Sequence, residues 1–178
     1  QGQKLIITCD CGISNATEIS QAKTLGMDVI VTDHHQIPET LPEAFAIIHP
    51  RVAGETYPFK ELAGGGVAFK LAQGLLRHDG NNLTPEQREA KEKWLLDLVA
   101  LSSVADMVSM TGETRTLTKY GLIIMQKNTR LGLTALFKNA GIEPKNITEE
   151  TIGYQIAPRI NAAGRMDHAN AAYFLLMA

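Results

Sequence analysis

Two short apolar runs, each closed by an acid and separated by one helix's length of chain, constrain this sequence more than any other feature. Leu5-Ile6-Ile7-Thr8-Cys9 runs into Asp10, and Val29-Ile30-Val31-Thr32 runs into Asp33-His34-His35. Between them, Asp10-Cys11-Gly12-Ile13-Ser14-Asn15 is a turn with helix-capping residues. Ala16–Leu25 then carries Ile19, Ala22 and Leu25 at helical spacing, and Gly26 is a natural C-terminal stop. The second run is continuously β-branched and apolar, as expected of a strand covered on both faces of a parallel sheet. A third short strand, Ala46-Ile47-Ile48, stops at His49-Pro50. With right-handed crossovers, these pieces predict an α/β fold built on a doubly wound parallel sheet.

From about residue 60 the pattern turns helical. Gly64-Gly65-Gly66 opens a helix carrying Val67, Phe69, Leu71, Leu75 and Leu76. Thr84-Pro85-Glu86-Gln87 combines a cap, a first-turn proline and a Gln three residues after the Thr, a strong helix start. That helix is expected to run through Trp94, Leu98 and Leu101 toward Ala105-Asp106. Further helices are expected over Leu117–Gln126, over Leu131–Asn139, from Thr148, and over Ala169–Met177. The polar loop Arg77–Thr84 is the expected mobile segment. The chain thus divides into residues 1–58, an α/β part, and 59–178, a helical part of the same core.

Composition narrows the function. Nineteen acids against 17 lysines and arginines leave a formal charge of −2, so nucleic-acid contact needs a local basic patch. No apolar run approaches the roughly 18 residues that span a bilayer. Cys9 and Cys11 flank Asp10; a disulfide between them is disfavoured geometrically, and reduced thiols suit a cytoplasmic location. The opening Gln1-Gly2-Gln3-Lys4 is no signal peptide, and the absence of an initiator Met suggests a piece of a longer protein.

Three metal-capable side chains in a row at Asp33-His34-His35 are hard to explain as packing, because Asp and His are seldom buried without a partner. Strand ends of parallel sheets are where α/β folds place their chemistry. Asp106 interrupts Leu101-Ser102-Ser103-Val104-Ala105-Asp106-Met107-Val108, and a carboxylate in such company calls for a partner. Asp10, His34 and Asp106 therefore form the candidate ligand set. A carboxylate and imidazole shell without thiolates suits Mn²⁺, Mg²⁺ or Fe²⁺. Two such ions about 3.5–4 Å apart suit hydrolysis of a phosphate ester. Taken singly, each acid reads as a strand-end or helix-end cap.

The pieces Cys9-Asp10-Cys11-Gly12-Ile13, Val31-Thr32-Asp33-His34-His35 and Val104-Ala105-Asp106-Met107-Val108 resemble successive motifs of the DHH phosphoesterase superfamily. Glu61-Leu62-Ala63-Gly64-Gly65-Gly66-Val67-Ala68-Phe69-Lys70-Leu71 and Ala157-Pro158-Arg159-Ile160-Asn161-Ala162-Ala163-Gly164-Arg165-Met166 resemble the superfamily's single-stranded-DNA exonucleases. The resemblance implies that Asp10, His34 and Asp106 ligate Mn²⁺ or Mg²⁺, with the two acids shared between metals. It implies that Asp33 orients the site and that His35 faces the scissile phosphate as a hydrogen-bond or proton donor. Arg159 and Arg165 fall where such enzymes approach the DNA backbone, and guanidinium forks match phosphate oxygens. The activity implied is 5′-to-3′ hydrolysis of single-stranded DNA in repair and recombination. Repair-protein partners would act through other domains.

The superfamily's first motif, an Asp-x-Asp pair, has no counterpart before Lys4, so the segment alone is expected to bind metal weakly or not at all. The companion C-terminal domain and the oligonucleotide-binding module are also outside it. The thiols beside Asp10 suggest sensitivity to oxidation. Rival readings are a DHH enzyme on short oligoribonucleotides, cyclic dinucleotides or pyrophosphate, and a non-catalytic DNA-binding or replication scaffold. The three glycines at 64–66 read as close helix-to-sheet packing in preference to a phosphate cradle. Arg115, Lys119, Lys127 and Arg130 read as a solvated face in preference to a nucleic-acid path. His49 lies near the site or caps a turn, and His78 and His168 are surface residues. With few aromatics, base stacking has little to draw on.

Overall fold

The computed structural model describes residues 2–78, 82–127, 130–166 and 168–178. Its sheet has three parallel strands, β1 (Leu5–Cys9), β2 (Asp28–Thr32) and β3 (Ala46–Ile48), in the order β1-β2-β3. Cys9 pairs with Thr32, and Thr32 pairs with Ile48, so all three strands end level. The pairing carries on past the last strand residues, with the Asp10 N–H on the Thr32 carbonyl (3.0 Å) and the Asp33 N–H on the Ile48 carbonyl (3.2 Å). This register brings Asp10, Asp33 and His49 out along one edge of the sheet.

Helix α1 (Ala16–Thr24) lies between β1 and β2 in the chain and buries Ile19 and Ala22 against Val29 and Val31, with Met27, Ala44 and Ile47 around them. The β2 side chains are covered as their apolar run predicts. Strand β1 differs: Leu5, Ile6 and Ile7 are 50%, 37% and 51% exposed, because β1 is the outer strand of the described sheet.

The rest of the chain is helical. Helix α2 (Gly64–Arg77) touches both β1 and β2, and joins the sheet to the helical part by packing on α4. The expected helix from Thr84 is two, α3 (Pro85–Trp94) and α4 (Leu96–Ala105), meeting at Leu95. Leu95 keeps angles near the helical region (φ −83°, ψ −11°), so the apolar pattern crosses the joint without a signal in sequence. The Thr84–Gln87 capping box forms as its spacing predicts. The middle of the Arg77–Thr84 loop, residues 79–81, lies outside the described residues.

Helix α5 (Gly112–Gln126) starts five residues before the expected Leu117. Its first turns are anchored by polar groups that hydrophobic periodicity does not register: Thr114 is buried, and its hydroxyl donates to the Glu61 carbonyl at 2.9 Å. Helix α6 (Leu131–Ala140) closes on Gly141 at φ 65°, a left-handed C-terminal cap. Leu133, Phe137, Ile147, Ile152 and Ile156 join Ala100, Leu101 and Met125 in the main core of this part.

One turn of helix, α7 (Glu149–Thr151), capped by Thr148, runs into a π-helical turn at Ile152–Ile156 and on into α8 (Ala157–Met166). Pro158 explains the wide turn, because it lacks an N–H and its ring would crowd the carbonyl four residues back. Helix α9 (Asn170–Met177) packs against α6 and α8. No helix among the described residues is long and apolar enough to cross a membrane.

Candidate metal centre

Asp33 underlies the centre. It is 1% exposed, and its carboxylate accepts from the N–H groups of Ile13 (2.9 Å), His34 (2.8 Å) and His35 (3.2 Å). The His35 Nδ1 lies 2.7 Å from the same carboxylate. Burial pushes the Asp33 carboxyl upward, but these donors outweigh it and hold the group below the ordinary carboxylate range. With its oxygens taken up by these donors, Asp33 is suited to orienting its neighbours and not to binding an ion itself. The hydrogen bond to Asp33 also raises the His35 imidazole above its usual value.

His34 points the other way. It is 8% exposed, and its Nε2 lies 3.1 Å from Asp10 Oδ1 and 3.3 Å from Asp106 Oδ2. That buried Nε2 nevertheless has no hydrogen-bond partner among the described residues. A ring nitrogen set between two carboxylates, without a hydrogen-bond partner, is an arrangement suited to a divalent cation. His35 also stands close: one ligand atom from each of Asp10, His34 and His35 can be chosen so that all lie within 4.8 Å of one another.

The two acids reach His34 from different elements. Asp10 follows β1 at φ 61°, a left-handed conformation that Asp tolerates better than most residues. Asp106 is the C-terminal cap of α4. It is partly exposed at the helix end and not buried among apolar neighbours as its sequence setting suggests, because α4 stops one residue before it. A carboxylate at a helix C-terminus faces the negative end of the helix dipole, which a bound cation would offset.

Three further residues brace the centre. His49, 2% exposed, accepts from the Arg51 N–H at Nδ1 (3.1 Å), which leaves Nε2 to donate to the His35 carbonyl (2.9 Å). Burial holds this imidazole below its ordinary value, so it is neutral. The level strand ends were the available signal, since His49 follows β3 as Asp10 follows β1. Gly64 and Gly65 pack tightly: a Cβ on Gly64 would meet the Asp10 side chain, and one on Gly65 would meet Ser102, whose hydroxyl accepts from the Gly65 N–H at 3.1 Å. Close packing accounts for both glycines, on the sheet edge for Gly64 as expected but on helix α4 for Gly65.

Arg159 and Arg165 are exposed on α8, and Arg159 Nη1 donates to the Gln155 carbonyl at 2.7 Å. Neither lines the cavity of about 970 Å³ that opens beside Asp10 and Asp106. Arg130 belongs to no nucleic-acid path and no solvated face. It is 7% exposed and paired with Asp97 through Nε to Oδ2 at 2.7 Å. Arg115, Lys119, Lys127, His78 and His168 are exposed. Cys9 and Cys11 are free thiols, and burial together with the Asp10 charge raises the Cys9 thiol, which lowers its thiolate fraction and its susceptibility to oxidation.

The DHH family, N-terminal domain, matches residues 2–102, the stretch that holds Asp10, Asp33, His34 and His35. The chain belongs to the DHH family. Among curated DHH-type relatives, the single-stranded-DNA-specific exonuclease RecJ of Bacillus subtilis (strain 168) is 46% identical over 177 residues, covering 99% of this chain and 21% of that protein. RecJ of Escherichia coli (strain K12) is 40% identical, covering 99% of this chain and 31% of that protein. The chain therefore spans between a fifth and a third of the length of these relatives. Among solved structures, exonuclease RecJ bound to manganese superposes with a TM-score of 0.80 at 34% identity, over 97% of this chain and 41% of that one. RecJ of Thermus thermophilus in complex with Mn²⁺ gives 0.76 at 32% identity, over 98% of this chain and 25% of that one.

Proposed function

We propose that this chain is the metal-binding core of a phosphodiesterase that removes nucleotides from the 5′ end of single-stranded DNA, in DNA repair and recombination. The observation that carries the proposal is the buried His34 Nε2, set against Asp10 and Asp106 without a hydrogen-bond partner among the described residues. Asp10, His34 and Asp106 would hold Mn²⁺ or Mg²⁺, the ions named for the similar RecJ structures. Such an ion supplies an activated water and screens charge on the phosphoryl oxygens.

The remaining work falls to the chain's own side chains. His35, with its Nδ1 held by Asp33 and its ring more than half exposed, offers Nε2 to a phosphate oxygen as a hydrogen-bond or proton donor. Asp33 fixes that ring and the His34 backbone together. Arg159 and Arg165, exposed on one helix, would contact the DNA backbone. The two exposed free thiols suit a reducing, cytoplasmic setting. Partners among repair proteins would act through parts of the protein outside this chain.

The test uses the natural protein that carries this sequence. With Mn²⁺ it should shorten 5′-labelled single strands from the labelled end and spare duplexes, short RNAs and cyclic dinucleotides. Preference for any of the latter substrates, or attack from the 3′ end, overturns the assignment.

A further inference from the structure

The cavity beside Asp10 and Asp106 has a charge pattern that restricts what can enter it. Its wall adds two more acids, Glu149 and Glu150, and none of the described lining residues is Lys, Arg or His. An ion at Asp10, His34 and Asp106 would neutralise a phosphate at one end of the cavity. Beyond that point, a sugar-phosphate backbone laid along the wall would face uncompensated carboxylates. What fits there is an uncharged group able to cover apolar surface, carried on the sugar esterified to that phosphate.

The wall supplies the matching surface. Tyr154 lines the cavity and is 82% exposed, and Met107 lines it and is 89% exposed. Both exposures follow from local backbone. Tyr154 sits at the middle of the π-helical turn that precedes Pro158, and Met107, next to Asp106, has a left-handed φ of 54°. Wide π turns and strained residues persist where surrounding structure holds them, often at functional sites.

We propose that the cavity is a nucleobase subsite, in which the base of the terminal nucleoside esterified to the scissile phosphate stacks on Tyr154 beside Met107. The proposal rests on the phosphodiesterase reading above and adds how the enzyme grips the terminal nucleoside: by the π-face common to all four bases, without sequence preference. Aromatic stacking can do this with a single ring, so a chain poor in aromatics needs only one in the right place.

The test compares Tyr154→Ala and Tyr154→Phe with the unmodified natural protein carrying this sequence. Tyr154 is largely solvent-exposed, so neither change disturbs the core. One readout is the fluorescence of 2-aminopurine placed at the terminal nucleotide of the attacked end, with Mg²⁺ present and the scissile phosphodiester replaced by an uncleavable phosphonate linkage. The unmodified protein and Tyr154→Phe should quench it on binding, and Tyr154→Ala should not. The second readout is KM on single strands whose terminal nucleotide carries a base or is abasic. Tyr154→Ala should raise KM about tenfold or more on the first and leave it unchanged on the second. Equal quenching by Tyr154→Ala, or an equal KM rise on both strands, overturns the subsite. Failure of the unmodified protein to cut any single strand sinks the phosphodiesterase reading instead, and the quenching comparison still decides the subsite.

Discussion

Gly64 lies so tightly against Asp10 that a methyl group on its Cα would come within 2.5 Å of the Asp10 Cβ and overlap the carboxylate. The first turn of α2 is therefore a wall of the candidate metal centre, and the absent side chain at Gly64 gives the Asp10 carboxylate its room. The sequence presents three glycines in a row; only the structure separates them by what each one faces.

Gly64→Ala should accordingly weaken Mn²⁺ binding about 10–100-fold, the usual effect of displacing a ligand's support. Circular dichroism should show the fold retained. Gly74→Ala, in the same helix, is the control. A Cβ there meets nothing within 4 Å, so the change should leave metal affinity alone and add about 0.4–1 kcal/mol of stability. Equal metal affinities in the two variants would remove Gly64 from the centre.

Asp33→Asn should destabilise the protein by about 1–3 kcal/mol at neutral pH, because a charged acceptor of three N–H groups and an imidazole is lost. The pH dependence has a definite sign. The folded Asp33 carboxyl titrates below its unfolded value of about 3.9, so its contribution is complete above that pH and fades as pH falls through the lower, folded value. Denaturant unfolding at several pH values should give a gap between the two proteins that narrows in strong acid, as Asp33 is protonated, and narrows again as pH rises through the folded value of His35, whose imidazole Asp33 raises. The raised imidazole of His35 works in the opposite sense, its contribution fading as pH rises through its folded value.

Arg130→Ala should cost about 3–5 kcal/mol, since it leaves the Asp97 carboxylate, 2% exposed, without its partner. The guanidinium also donates to the carbonyls of Trp94 and Leu176, both at 3.2 Å, and so ties the end of α3 to the end of α9. Replacing both members of the pair with apolar residues of similar size should cost less than removing Arg130 alone. The measurement is chemical denaturation of the unmodified protein and the two variants. A loss below about 1 kcal/mol for Arg130→Ala would show the pair to be solvated.

Much of the candidate centre was legible from the chain because Asp10, Asp33 and His34 follow short apolar strands whose periodicity is plain. Asp10, Asp33 and His34 all occupy level strand ends. Asp106 was legible both as a candidate ligand and as a helix-end acid, and α4 does end at Ala105 with Asp106 as its cap. His49 reads from sequence as near the site or as a turn cap, because nothing local announces that its ring braces the His35 carbonyl. The early start of α5 and the burial of Arg130 were illegible for one common reason. Both depend on polar groups satisfied by distant partners, Glu61 for Thr114 and Asp97 for Arg130, and periodicity sees only apolar faces.

The most direct test of the metal centre is Mn²⁺ binding, by electron paramagnetic resonance titration, to the natural protein carrying this sequence and to its His34→Ala variant. Loss of Mn²⁺ affinity by about tenfold or more in His34→Ala, with the fold intact by circular dichroism, is the expected result. Unchanged affinity would contradict the assignment of Asp10, His34 and Asp106 as the ligands.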